Sequence, residues 1–208
     1  VSHEIDVIHT QHLRMSQYTS SIRNIPTILD LPDAYSLYWK RRSMLNGSYL
    51  TRKFGMSEHR KVLKYESIIK CFDMTLVCSD EDKILLENDH NYDGLRILPN
   101  GIDTSTFNSD YHDYSIDNRL IFTGNMDYFP NTDAAIYFSN EIFPEILRKY
   151  PAVKFYIVGQ NPPKKVLELQ SENIIVTGFV PSIADEYRSS SIAVSPVRVG
   201  AGTLNKVL

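Results

Sequence analysis

The last fourteen residues, SPVRVGAGTLNKVL at 195–208, hold the side chains best suited to bind an anion. Gly200 and Gly202 lie between two cations, Arg198 and Lys206, directly after the apolar run SIAVS at 191–195, which reads as a buried strand. A strand that runs through small residues into a helix start aims backbone N–H groups outward, and such a nest attracts phosphate or carboxylate. The same spacing also suits a plain strand-to-helix turn in which glycine serves geometry alone. Both readings stand at this point.

Hydrophobic periodicity supplies the elements that would position this loop. Short apolar runs rich in β-branched or aromatic residues occur at 4–9, 25–31, 73–79 and 94–99, and again at 118–124, 153–159, 173–178 and 191–195. Most are apolar at successive positions, as strands covered on both faces are. Helical patterns lie between them. Residues 58–72 place Val62, Tyr65, Ile69 and Phe72 at near-helical spacing, and 79–90 opens with Ser79 or Asp80 as N-cap and acids in the first turn. Residues 131–150 read as a helix broken at Pro144. The stretch 161–170 has prolines at a helix start, and 181–190 reads as a short helix with Pro181 in its first turn.

Strand alternating with helix, twice over, predicts an α/β chain with two Rossmann-like parallel-sheet domains. The passage 100–117 is polar, rich in Asn, Asp and Ser, and reads as a linker, so domains are expected at 1–110 and 111–208. Neither looks complete. The first opens without the glycine-rich turn that begins such a domain, and the second ends as its fifth unit starts.

With 208 residues, 42% hydrophobic and 23% charged, the chain can build sizeable cores. A net charge of −3 argues against nucleic acid as the main partner, although WKRRS at 39–43 is a local basic cluster. No apolar run approaches the ~20 residues of a membrane span and no signal pattern opens the chain, so a soluble, cytoplasmic protein is expected. Cys71 and Cys78 have no Cys or His at metal-ligand spacing, so no metal site is expected and both read as buried free thiols. Metalloprotease, Cys-x-x-Cys and nucleophile-elbow motifs are lacking, and no full Gly-x-Gly-x-x-Gly follows a strand.

The series LPNGIDTSTF, LIFTGNMDYFPNTDAAIYF, KFYIVGQNP, NIIVTGFVP and SIAVSPVRVGAGTLNKVL resembles, in that order, the group 1 (family 4) glycosyltransferases of GT-B fold. The bacterial subgroup of exopolysaccharide and surface-glycan synthesis is the one suggested. In the first half, ILDLPDAYSLYWKRR and FDMTLVCSDEDKILL are similar to segments late in the acceptor-side domain of that family. The resemblance implies an internal stretch of a longer protein, inactive by itself. In the full protein a sugar would pass from a nucleotide diphosphate sugar to a glycan or lipid-linked acceptor, with retention and without a catalytic metal or other cofactor.

Under this resemblance Arg198 and Lys206 are the catalytic pair, because fixed positive charge meets the charge growing on a diphosphate leaving group. Gly200 and Gly202 would let backbone approach the phosphates, and Gly124, Asn125, Gly159, Phe179 and Val180 would line the donor. Strand-end packing is the competing reading for Phe179. Many relatives carry a Gly-Arg…Lys pattern where this chain has Gly124 followed by Asn125, with Asn131 further along, and this shifts the burden to Arg198 and Lys206. The first glutamate of the family's donor signature falls on Ala201, and the second falls past Leu208.

On the acceptor side the candidates are His9, His12, Arg14 and Asn131, with structural hydrogen bonding or helix capping as the competing reading. Asp33 and Ser36 match a family segment, and Asp33 also suits a helix cap. WKRRS is open to an anionic acceptor, to a peripheral membrane contact at the inner face, or to a solvated helix face. Self-association would cover exposed sheet edges. Two rival functions remain: a nucleotide-sugar epimerase of the same fold, and a catalytically silent nucleotide- or partner-binding module, suggested by Asn125 and Ala201.

Overall fold

A computed structural model describes residues 4–45, 47–107 and 118–207. The chain divides into two compact units, one of Val1–Gly101 with Val199–Leu204 and one of Ile102–Arg198 with Asn205–Leu208. The boundary expected at 110, and residues 108–117 of the expected linker, lie outside the described residues.

The first unit runs β1 (Ile8–Gln11), α1 (Ser16–Thr19), β2 (Thr27–Leu31), α2 (Tyr35–Met44), α3 (Tyr49–Glu66), β3 (Met74–Val77), α4 (Asp80–His90) and β4 (Leu95–Ile97). Its four strands are parallel in the order β1-β2-β3-β4. Leu29, Leu31, Val77 and Leu95 from the sheet pack with Ile69, Phe72 and Leu86 from the helical side to form one core. The start of α4 follows its sequence signals, since Ser79 Oγ accepts from Asp82 N at 3.1 Å and three acids occupy the first turn. Its end is set by Asn91 in the left-handed region.

The helix expected at 58–72 begins earlier, at Tyr49, behind a Ser48 cap that accepts from Thr51 N at 3.2 Å. Its last part, Ser67–Cys71, tightens into a 3-10 turn that leaves Cys71 exposed, against the expectation of a buried thiol, while Cys78 is buried.

The second unit runs β5 (Arg119–Thr123), α5 (Phe129–Tyr137), α6 (Phe143–Lys149), β6 (Lys154–Val158), α7 (Lys164–Leu167), β7 (Ile174–Gly178), α8 (Ile183–Arg188) and β8 (Ile192–Ala193). Its parallel sheet has the order β7-β6-β5-β8. The core is aromatic, with Phe138 and Phe143 stacked near Phe155 at ring separations of 4.6 and 5.7 Å. The helix break expected at Pro144 is a π-helical segment, Phe138–Ile142, between α5 and α6. Pro144 has no N–H to offer the turn before it, so the ladder is rerouted there. Pro181 is not in the first turn of α8 as expected. The helix opens at Ile183 behind Ser182, whose Oγ accepts from Asp185 N at 3.2 Å, an acceptor that proline lacks. Among the described residues no helix is long and apolar enough to cross a membrane.

Candidate functional site

Strand order marks the place in the second unit where ligands bind in folds of this kind. From β5 the chain builds β6 and β7 on one side, and then returns to add β8 on the other. In an open parallel sheet the crevice beyond the carboxyl ends of the two strands flanking such a reversal is the usual ligand site. Here those ends are Thr123–Asn125 after β5 and Val194–Arg198 after β8.

Glycine is required at the first of them. Gly159, after β6, has φ +151°, and a Cβ there would lie 1.7 Å from the carbonyl oxygen of Gly124. Gly124 in turn would bring a Cβ within 2.6 Å of Asn131 Nδ2. The two loop backbones are thus in contact, and each is tied to its neighbour: Gly124 N donates to Val158 O at 3.0 Å, and Gly159 N to Gly178 O at 3.1 Å.

Asn131 lies inside the first turn of α5, whose N-cap position is Tyr128, so it is not the cap. Its Nδ2 donates to Asn125 O at 2.9 Å, and its Oδ1 accepts from Lys206 Nζ at 2.7 Å. Lys206 also lies 4.3 Å from the centre of the Phe122 ring. Burial pushes its pKa down to about 8, and among the described residues no carboxylate ion-pairs with it. Lys206 is therefore a half-buried cation whose partners are neutral.

Arg198 is in the opposite state. Its Nε and Nη2 donate to the two oxygens of Asp133 at 3.0 and 2.7 Å, and its guanidinium lies 4.2 Å from the centre of the Tyr137 ring. The carboxylate holds the guanidinium charged, and raises its already high pKa. Sequence reasoning missed Asp133 and Tyr137; their four-residue spacing on α5 is the signal that puts both beside one side chain.

Asn125 is exposed, and its Oδ1 accepts from Asp127 N at 3.2 Å. Beyond β7, Gly178 takes φ +70°, Phe179 is 75% exposed and Val180 is half-buried. The Phe179 ring is thus not packed into the strand end.

Gly200 and Gly202 belong to the first unit, and Arg198 and Lys206 to the second. Gly200 O accepts from Arg41 Nη1 at 2.7 Å. Gly202, at φ +69°, donates its N–H to Asp82 Oδ2 at 2.8 Å, and a Cβ there would lie 2.3 Å from Asp33 Oδ1. The amide expected to face an anion is already bonded to a carboxylate of this chain, and Ala201 packs against the core of the first unit.

The acceptor-side candidates follow β1. His9 Nε2 is 3.4 Å from Asp30 Oδ2, while His12, at φ 69°, and Arg14 are exposed. Asp33 does not cap α2. Burial, and then the charge of Asp82, push its carboxyl up to about 6, with the His12 charge acting the other way. The start of α2 is instead held by Glu66 of α3, whose Oε1 accepts from Ser36 N at 2.9 Å. Burial pushes Glu66 up to about 7 although its hydrogen bonds from Ser36 pull downward. No local pattern marks Glu66, because it caps a helix thirty residues away.

A family model described as "Glycosyl transferases group 1" matches residues 117–208. Comparison with curated proteins finds no match. Among solved structures this chain is similar to a crystal structure of TarM, with TM-score 0.67 and 10% identity over 94% of this chain and 37% of that one. A mutant of S. aureus TarM, solved in complex with fondaparinux, alpha-GlcNAc-glycerol and UDP, gives 0.52 at 11% identity over 79% of this chain and 30% of that one. The apo structure of OtsA gives 0.50 at 10% identity over 90% and 51%. These likenesses show the fold, an α/β pair of parallel-sheet units as in GT-B proteins. The chain spans about a third of the TarM chain it matches.

Proposed function

We propose that this chain contributes to a glycosyltransferase that moves a sugar from a nucleotide diphosphate sugar to a glycan or lipid-linked acceptor, with retention and without a catalytic metal. The observation that carries this reading is Lys206, a half-buried ammonium with neutral partners at the strand reversal of the unit that the group 1 glycosyltransferase model matches. When the bond from the anomeric carbon to the phosphate oxygen breaks, the sugar becomes oxocarbenium-like and negative charge collects on the diphosphate. A cation already in place, without a competing carboxylate, stabilises that charge with little reorganisation. Arg198 can add to it by exchanging Asp133 for a phosphate in the same bidentate geometry.

The loops of Gly124 and Gly159 meet at the ends of β5 and β6, beside the strand reversal where the diphosphate would lie, and Phe179 and Val180 offer a surface for a base or ribose. The acceptor would meet the first unit, where His12 and Arg14 are exposed at the carboxyl end of β1. UDP is the first nucleotide to try, since the similar TarM structure holds it. The test is nucleotide release from UDP-, GDP- and ADP-sugars. Release of one nucleotide by the protein, lost in Lys206→Met, supports transfer; an altered sugar without any release supports epimerisation instead.

A further inference from the structure

Residues 34–57 hold five cations and no carboxylate, in a chain whose net charge is −3. The stretch covers α2 and the first half of α3, and the hairpin of the two helices is tight because Gly55 allows it: a Cβ there would stand 2.9 Å from Ser43 Cβ. Its turn end carries apolar side chains that face water. Met44 is 66% exposed, Tyr49 69%, Leu50 76% and Phe54 59%. Leu50 and Phe54 are four residues apart and lie on one side of α3.

Cations are interleaved with these rings. The Lys53 ammonium lies 4.6 Å from the Tyr49 ring centre, and the Arg42 guanidinium 5.1 Å from that of Trp39, which itself meets Phe54 edge-on at 5.8 Å. Among the described residues no carboxylate pairs with Lys40, Arg52 or Lys53.

We infer that the turn end of the α2–α3 hairpin docks on an anionic lipid surface. Two kinds of contact are needed at once, and a charged bilayer supplies both. The headgroup phosphates take Lys40, Arg52 and Lys53, and the acyl boundary takes Leu50 and Phe54, with the aromatic rings at the depth between. A soluble anionic polymer satisfies the cations but leaves Leu50 and Phe54 in water. The inference is independent of the nucleotide reading, because the hairpin belongs to the first unit and Lys206 to the second.

The test is co-sedimentation of the 208-residue chain with phosphatidylcholine vesicles, with and without phosphatidylglycerol, at low and high ionic strength. The chain should pellet with the anionic vesicles only, and less as salt rises. Leu50→Ser/Phe54→Ser and Arg52→Glu/Lys53→Glu should each lower partitioning about tenfold or more, while Arg52→Lys/Lys53→Arg keeps it. All four positions are exposed, so unchanged far-UV circular dichroism should accompany each variant. Equal pelleting with neutral vesicles, no pelleting, or variants that match the parent would overturn the inference. A doubled mass by light scattering that Leu50→Ser/Phe54→Ser returns to the monomer value, without vesicle binding, would assign the patch to a second copy and overturn it as well. Loss of vesicle binding with nucleotide binding intact separates this surface from the donor site.

Discussion

A lysine held between an amide oxygen and a phenyl ring, with no carboxylate among the described residues paired to it, has strong reason to bind an anion. Lys206 titrates at about 8, below the ordinary 10.5, because burial disfavours its charge. A depressed lysine pKa means the folded state resists the proton between about 8 and 10.5, so this group makes folding more favourable as pH rises through that window. Binding of a diphosphate has the opposite sign, since it needs the ammonium. Through this group, nucleotide affinity should therefore be flat below about pH 7 and fall by about tenfold between pH 7 and 9, and calorimetric titration of Lys206→Met should show a weaker affinity without that fall.

Glu66 provides the complementary case. Its carboxyl titrates at about 7 against an ordinary 4.5, so it contributes stability below 4.5 that is lost as pH rises through 7. Urea unfolding followed by Trp39 fluorescence should show the first unit weakening from pH 5 to 7 by on the order of 3 kcal/mol at most. Glu66→Gln should flatten that slope; an unchanged slope would assign it to other groups. At this scale the sequence named Lys206, Arg198 and Asn131, because cations beside glycines and an amide after a strand are visible in one dimension. Asp133 and Glu66 were hidden, since each acts on a residue more than twenty-five positions away.

Elements were legible wherever they bury one kind of face. All eight strands fall inside the apolar runs or within two residues of them, and α4 keeps its Ser79 cap. The first half of α3 escaped notice, because Tyr49, Leu50 and Phe54 face water and no apolar stripe marks a core-facing side. The loop after β8 was read as one nest, yet its glycines and its cations are held by different elements. A spacing cannot show that Asp82 already occupies the Gly202 amide. The contact of the loops after β5 and β6 makes a sharp prediction. Gly159→Ala would force a methyl group against Gly124 O at a φ of +151°, and should destabilise the second unit by about 1–3 kcal/mol or more in chemical denaturation. A neutral effect would mean that these loops do not touch.

Across the whole molecule, two sheets with separate cores follow from strand–helix alternation repeated on each side of a polar passage. Charge is spread unevenly, with an overall −3 against five cations and no carboxylate over residues 34–57, and this asymmetry suits the proposed docking on an anionic surface. The central claim is that the strand reversal of the second unit holds a nucleotide diphosphate through Lys206 and Arg198. Isothermal titration of UDP, GDP and ADP into the parent chain, Lys206→Met and Arg198→Ala tests it directly. One nucleotide should bind the parent, and each substitution should weaken it by about 1.5–3 kcal/mol, the range of a charge-assisted contact. Absence of binding by all three nucleotides, or equal affinity in the parent and both variants, would contradict it.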